Sequence, residues 1–448
     1  MFIKNMKRLV SKEISDDKAY HFLDDIRTIR HNNKLLVVCV PTGNWIVLDN
    51  DVQLEYFSLL RNGFTIGAAL EKIGGNINDA QKVIVQIEAK RFEAQDVLTN
   101  VLEFSLHIHL TNLCNLRCPH CYMFAGTNLS NELATDEIIG LLDAFRSHDG
   151  KKATFTGGEI SMRKDLYTII RHSSEIGIRN ELLTNGTLWT EKQINEFSLL
   201  IDKVQISIDG YSEESNAVVR GKGNFARSLK AIDLFVKKGV RTEVAMTPFF
   251  DESYRKNYMR YAVFGDSLME KYKDYNFKVK YSGVILDGRD ISFTKEEREE
   301  YKQIAEKIYN SLYGDVNQYQ FIQFHKKLGI QDNCNYGNLT VTADGNLYLC
   351  PQIPMIESFG NIREMSFDQV MKVVKTAKEI SSIDNILPCR DCELKYICGG
   401  DCRVEYFPEL TQSDIMNLAT PPTRKCTKET KEKFYDLMIE TNEKIFQD

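Results

Sequence analysis

Apolar residues recur along this chain with several periods, and the changes of period divide it. Two nearly continuous apolar runs, KLLVVCV (34–40) and NWIVLD (44–49), flank a Pro-Thr-Gly break, which predicts a β-hairpin. After Asn50 the spacing turns helical: VQLEYFSLL, then TIGAALEKIGG closing on a glycine pair, then INDAQKVIVQIEAKRF. Residues 1–100 therefore read as a small α+β module. From about residue 101, β-rich runs alternate with amphipathic stretches. The runs are FSLHIHL (104–110), ATFTGG (153–158), NELLTNG (180–186), KVQISIDG (203–210), VRTEVAMTP (240–248) and NFKVKYSGVI (276–285). Stretches such as ELATDEIIGLLDAF and FARSLKAIDLFVKKG lie between them. Six strand–helix units imply an α/β fold with a parallel sheet, open or closed into a barrel; six are too few for a complete eight-fold barrel, so a partial (β/α)6 TIM-type barrel is expected, with its functional loops after the strand C-termini.

A long helix, TKEEREEYKQIAEKIYNSLY, follows from about 294 and opens with a Thr-x-x-Glu capping signature. The last third is rich in loops and cysteines. It begins with a hairpin-like NLTVTADGNLYLC (338–350) turning at Asp344-Gly345, then a helix over about 366–380, and ends in a polar helical tail, 427–448. The expected organisation is three domains: 1–100, a barrel over 101–310, and 311–448.

Composition narrows the function classes. The chain has 448 residues, with 57 Lys+Arg against 63 Asp+Glu and a formal charge of −6. An apolar share of 43% excludes a wholly disordered chain, and the mild acidity argues against a protein that wraps nucleic acid. No apolar run approaches a bilayer span, and MFIKNMKRLVSKEISDD lacks the apolar core of a secretory signal. The expectation is a cytoplasmic protein that binds neither nucleic acid nor membrane. Eleven cysteines then need a reason. Where thiols stay reduced, clustered cysteines read as metal sites.

Cys114, Cys118 and Cys121 form one tight group. Three thiolates can hold three irons of a four-iron cube and leave the fourth open. The alternative, a structural zinc site, would need a distant fourth ligand. The loop CNLRCPHCY, placed after the first barrel strand, closely resembles the signature of radical S-adenosylmethionine enzymes. Further segments match that family. Gly157-Gly158-Glu159 resembles the motif whose backbone and carboxylate hold the methionine ammonium. Ser207 and Asp209, in SIDG, resemble the segment near the cofactor's ribose and carboxylate. Arg220 resembles the arginine aimed at the methionine carboxylate, with a solvated surface charge as its plain reading. Asn185 would touch the ribose unless it only makes an Asn-Gly turn, and the backbone of Tyr122 would face the adenine. His120 holds the usual aromatic position before the third cysteine.

A second constellation runs Cys334-x10-Gly345-x4-Cys350, then Cys389-x2-Cys392-x5-Cys398-x3-Cys402, then Cys426. Its order and spacing resemble the SPASM extension of the same family, with zinc ribbons as the rival reading. The resemblance implies an outer auxiliary cluster on Cys389, Cys392, Cys398 and Cys426. It implies an inner one on Cys334, Cys350 and Cys402, whose fourth ligand stays open. The cofactors implied are thus three [4Fe-4S] clusters and S-adenosyl-L-methionine.

The N-terminal hairpin and helices resemble the PqqD-type recognition module, a winged-helix-like fold that captures the leader of a ribosomally made precursor peptide as an added strand. The whole then resembles a peptide maturase. Such an enzyme uses a 5′-deoxyadenosyl radical to abstract hydrogen and install an intramolecular carbon–carbon or thioether cross-link, with electrons from a reductase, flavodoxin or ferredoxin. Alternatives are a sulfatase-maturing or peptide-epimerising enzyme and a non-catalytic precursor-binding scaffold. Sulfatase-maturing relatives carry an acidic base directly after the second cysteine of the extension, where this chain has Pro351 and Gln352 after Cys350. Intact signature cysteines and Glu159 weigh against the scaffold. Cys39, in an apolar run, reads as a small core residue. His107 and His109 read as polar packing inside the barrel rather than as catalytic groups.

Overall fold

The computed structural model describes residues 14–93, 104–313, 334, 336–400, 402–405 and 423–446. At the N-terminus, β1 (Ile26–His31), β2 (Lys34–Cys39) and β3 (Asn44–Leu48) form an antiparallel sheet. It is followed by α1 (Asp51–Arg61), α2 (Ile66–Lys72) and α3 (Ile77–Ala89). Asn50, Thr65 and Asn76 cap these helices by accepting from the backbone N–H groups of Gln53, Ala68 and Asp79. The sequence pattern pointed to the β2–β3 hairpin but not to β1. In IRTIRH the apolar positions are sparse, and the turn into β2 is made by Asn32 and Asn33, both at positive φ.

The central body alternates strand and helix. Its elements are β4 (Ser105–His109), α4 (Thr135–Ser147), β5 (Lys152–Thr156), α5 (Leu166–Glu175), β6 (Arg179–Thr184), α6 (Glu191–Phe197), β7 (Lys203–Ser207), α7 (Glu213–Arg220), α8 (Asn224–Lys237), β8 (Arg241–Met246), α9 (Glu252–Lys271), β9 (Phe277–Tyr281) and α10 (Lys295–Tyr313). Strands β4 to β9 pair in parallel in chain order. Alternation decides which way each residue faces. Leu106, Ile108, Phe155, Leu182, Val204, Ile206 and Val244 belong to the main buried core. Residues of the opposite parity, His109, Thr156, Gln205 and Ser207, line an internal cavity. The expected capping box of α10 forms: Glu297 N–H donates to Thr294 Oγ1 (3.2 Å), and Thr294 N–H donates to Glu297 Oε2 (2.8 Å).

The last third is joined to this body through its sheet. Here β10 (Leu339–Val341), β11 (Asn346–Tyr348) and β12 (Gly360–Asn361) are followed by α11 (Phe367–Ile380), the short α12 (Lys395–Cys398) and α13 (Lys428–Phe446). The hairpin turns at Asp344-Gly345, with Gly345 at φ +89°. Strand β10 lies parallel to β4, with Thr340 opposite His107, so nine strands run in the order β12-β11-β10-β4-β5-β6-β7-β8-β9.

After Lys34 and Asn44, strands β2 and β3 are apolar because both faces of their sheet are covered. Leu35, Val37, Ile46 and Leu48 pack with Phe57, Leu60, Val83 and Ile87 of α1 and α3. Leu36, Val38, Trp45 and Val47 pack instead against Leu394, Ile397, Tyr435, Met438 and Ile439. Trp45 Nε1 donates to the Met438 carbonyl (3.1 Å). Among the described residues, no helix is long and apolar enough to cross a membrane.

Candidate cofactor and cluster sites

The loops leaving the C-terminal ends of the parallel strands surround a cavity of about 290 Å³. Cys114, Cys118, Cys121 and Tyr122 reach it from the loop after β4, and Gly157 and Gly158 from the end of β5. Asn185 follows β6, Ser207 ends β7 with Asp209 two residues beyond it, and Arg220 ends α7. The cysteine loop is pinned before it reaches the cavity. Glu132 accepts from Asn112 N–H (2.7 Å) and Thr111 Oγ1 (2.9 Å), and Cys114 N–H donates to the Gly126 carbonyl (3.3 Å). Gly158 N–H and Glu159 N–H donate to the carbonyls of Thr111 (2.7 Å) and Leu113 (2.8 Å).

These two bonds explain the glycines. A Cβ at Gly157 would lie 2.4 Å from Thr111 O, and one at Gly158 would lie 2.2 Å from Leu113 O. Their bare backbones let the β5 loop close onto the cysteine loop, in addition to facing the cavity.

The carboxylate of Glu159, fully buried, is committed within the protein. Oε1 accepts from Ser161 N–H (3.1 Å), Ser161 Oγ (2.6 Å) and Thr184 Oγ1 (2.6 Å), and Oε2 accepts from Asn185 N–H (2.7 Å). This side chain ties the β5 loop to the β6 loop rather than lining the cavity. Asn185 in turn donates to Asn115 Oδ1 (3.0 Å), between the first two cysteines. Glu132 and Asn115 were not singled out from sequence. Neither carries a motif, although Asn115 lies within the cysteine loop itself.

Asp209 is buried, with Oδ2 2.7 Å from Arg220 Nε and 3.5 Å from His120 Nε2. Its Oδ1 accepts from Thr247 N–H (2.9 Å). Burial works against the Arg220 charge, but Asp209 and the nearby Cys118 and Cys114 hold its pKa above the ordinary value. Burial lowers the His120 pKa, with Asp209 opposing. Burial also pushes the Cys118 thiol up to about 11 and the Tyr122 phenol up to about 12. Arg220 is thus an enclosed, fixed cation, not a solvated surface charge.

Away from the barrel mouth, Cys389, Cys392, Cys398 and Cys426 line a second cavity of about 190 Å³ together with Arg424 and Lys431. Cys334, Cys350 and Cys402 lie near one another against the barrel core. There burial, aided by Cys334 and Cys402, pushes the Cys350 thiol up to about 12. Backbone N–H groups of Arg403 and Gln352 donate to the sulfurs of Cys334 and Cys350 (both 3.5 Å). Cys39 is buried in the N-terminal core, and none of the eleven cysteines is in a disulfide.

Among the described residues, no three His, Cys, Asp or Glu side chains converge as ligands of a single metal ion. A donor set of thiolates alone is one that four-iron cubes take.

Residues 108–262 match the family model described as the Radical SAM superfamily, and residues 334–393 match SPASM, an iron-sulfur cluster-binding domain. The chain is 36% identical over 157 residues to an AdoMet-dependent heme synthase of Oleidesulfovibrio alaskensis, covering 33% of this chain and 40% of that protein. It is 24% identical over 278 residues to the antilisterial bacteriocin subtilosin biosynthesis protein AlbA of Bacillus subtilis, covering 60% of each. It therefore spans 40% to 60% of the length of these curated relatives. The crystal structure of Streptococcus suis SuiB bound to S-adenosylmethionine shares the fold, with a TM-score of 0.50 at 14% identity over 88% of this chain and 98% of that one. The chain thus matches a radical SAM domain followed by a SPASM iron–sulfur cluster-binding domain.

Proposed function

We propose that this protein is a radical S-adenosylmethionine peptide maturase. It binds a short ribosomally made precursor and installs an intramolecular carbon–carbon or thioether cross-link. One observation carries the reading: Cys114, Cys118 and Cys121 share a cavity with Gly157, Gly158, Asp209 and the buried cation Arg220. When bound there, an iron–sulfur cube and S-adenosylmethionine supply a 5′-deoxyadenosyl radical. The chain's own residues hold the parts and exclude water. Arg220, fixed by Asp209, presents positive charge to the methionine carboxylate. The backbone of Gly157 and Gly158 serves the ammonium, while Glu159 braces the loop through Thr184 and Asn185. Asn185 and Ser207 take the ribose, and Tyr122 the adenine side. The Cys334 and Cys389 groups hold two auxiliary clusters. A flavodoxin- or ferredoxin-type donor supplies electrons in the reducing cytoplasm.

The peptide substrate is supported by the likeness to a bacteriocin biosynthesis protein and by the small sheet at the N-terminus. A leader can add to that sheet as a further strand. On β3 the Gln86 side chain already pairs with Val47 N–H (2.9 Å) and C=O (2.7 Å), and Lys90 Nζ donates to Trp45 C=O (3.0 Å). Strand β1, with Thr28 and Arg30 exposed, is therefore the edge we assign to the leader.

The test is anaerobic reconstitution followed by assay of 5′-deoxyadenosine, which Cys118→Ala should abolish; undiminished formation by that variant removes the assignment of the first cluster. Co-expression with a short open reading frame encoded beside the gene should yield a peptide lacking two hydrogens, localised by fragmentation. The heme synthase relative favours a second reading, a tetrapyrrole substrate. Conversion of an iron porphyrin by the reconstituted protein, with no change in any peptide, would establish it.

A further inference from the structure

We infer that Arg424 raises the reduction potential of the outer auxiliary site, as a positioning residue whose guanidinium donates to one of that site's thiolates. This rests on the reading above, in which Cys389, Cys392, Cys398 and Cys426 hold a cluster.

Arg424 Nη1 lies 3.2 Å from Cys398 Sγ, and the residue is only 6% exposed, in the wall of the cavity that all four cysteines line. Its backbone is fixed independently of the side chain. Arg424 N–H donates to the Leu387 carbonyl (2.6 Å), and Thr423 bridges to Leu387, two residues before Cys389. The guanidinium is thus delivered to the sulfurs by the segment that also carries Cys426.

Two further cations line the same cavity, but Asp384 answers Lys395 at 2.9 Å, and Glu393 answers Lys431 at 3.0 Å and itself approaches Cys392 Sγ (3.7 Å). Those pairs bring little net charge to the site. Leu394 N–H also donates to Cys392 Sγ (3.4 Å), while Arg424 brings a guanidinium donor to Cys398 Sγ.

Reduction adds one negative charge to a cube and its sulfurs. A buried cation hydrogen-bonded to a thiolate stabilises the reduced form more than the oxidised form, and low local dielectric strengthens the effect. The potential therefore moves up. The sequence carries only a faint signal for this role, an arginine two positions before the last cysteine.

The experiment is an anaerobic redox titration of the reconstituted full-length protein, followed by electron paramagnetic resonance, with iron counted for each sample. Arg424→Met should keep about twelve irons per chain, four for each of three cubes. It should lower the midpoint of one auxiliary signal by at least a tenfold change in the reduction equilibrium, about 59 mV for one electron. The other two signals should stay in place, and Arg424→Lys should recover part of the shift. Full iron with all midpoints unmoved in Arg424→Met overturns the inference. If Arg424→Met loses iron, Arg424→Gln, which keeps N–H donors without the charge, decides. A lowered midpoint in that variant supports the inference, whereas loss of iron from the Gln and Lys variants as well makes Arg424 a structural residue and overturns it. A wild-type chain that takes up only about four irons instead removes the auxiliary-cluster reading itself.

Discussion

Close approach of backbones, more than any charge, sets the geometry around the first cysteine group. At Gly158 an added Cβ would sit 2.2 Å from the Leu113 carbonyl, so Gly158→Ala must push the cysteine loop away from β5. The expected cost is about 1–3 kcal/mol of stability, with the iron of the first site lost while the rest is retained. Gly140 in α4 makes the opposite case, since nothing lies within 4 Å of its Cβ position. Gly140→Ala should stabilise the protein by about 0.5–1 kcal/mol. Melting temperatures and iron content of the two variants check both outcomes. The glycines of the β5 loop were readable in the sequence as a motif, but half of their reason was not, because the partner carbonyls belong to a loop some 45 residues earlier.

His107 offers a pH test at the same scale. Burial lowers its pKa to about 4, and burial with the neighbouring His107 takes that of His109 well below 6.5. A histidine with a depressed folded pKa stabilises fully above its unfolded value near 6.5. That stability is lost as pH falls from there toward the folded value, because the unfolded chain binds protons first. Between pH 7 and pH 5 the His107 contribution should fall by about 2 kcal/mol. Wild type should therefore lose more melting temperature over that interval than His107→Gln; equal losses would show that His107 is not held neutral by its surroundings. The alternation HIH on β4 pointed to polar residues facing the barrel interior, and His109 lines the cavity there.

At the scale of elements, the docking of α13 on the N-terminal sheet is the feature least legible beforehand. The consecutive apolar residues of LLVVC and WIVL announced burial on two faces, yet nothing in the pattern said what covers the second. Trp45 and Met438 are 393 residues apart, and their contact depends on how two bodies pack rather than on local propensity. Helix caps, by contrast, are local, and those at Thr294 and Ser366 follow directly from Thr-x-x-Glu and Ser-x-x-Gln. The docking contact makes a prediction. Met438 is fully buried in this joint, so Met438→Ala should cost about 2–5 kcal/mol. Because Leu394 and Ile397 flank the outer cysteines and share the same joint, proteolysis should release the N-terminal module sooner in the variant. A digestion pattern unchanged from wild type would mean that the joint does not hold the two bodies together.

At the scale of the molecule, the three sequence textures mark three regions, but the regions are not separable bodies. Strand β10 extends the barrel sheet beside β4, so the inner cysteines rest on the barrel core. The outer cysteines rest on the other interface: Cys392 and Cys398 pack against the cluster built from Leu36, Val38, Trp45 and Val47. His31 and Asn32 reach Asp436 of α13 (both 2.7 Å), and Lys90 contacts Asn442. The N-terminal module therefore backs the outer site as well as carrying the edge we propose for a leader. Removing residues 1–93 should then do more than weaken the proposed leader binding. It should strip the apolar cover from Leu394, Ile397 and Met438 and lower the iron content by about four per chain, the complement of one cube. Iron analysis of the truncated and full chains after identical reconstitution separates the possibilities. If the truncated protein keeps all its iron and loses only affinity for precursor, the module is a recognition domain alone. If it loses the outer cluster as well, recognition and electron-transfer chemistry share one interface, so that a leader seated on the β1 edge lies on the same small sheet that backs Cys392 and Cys398.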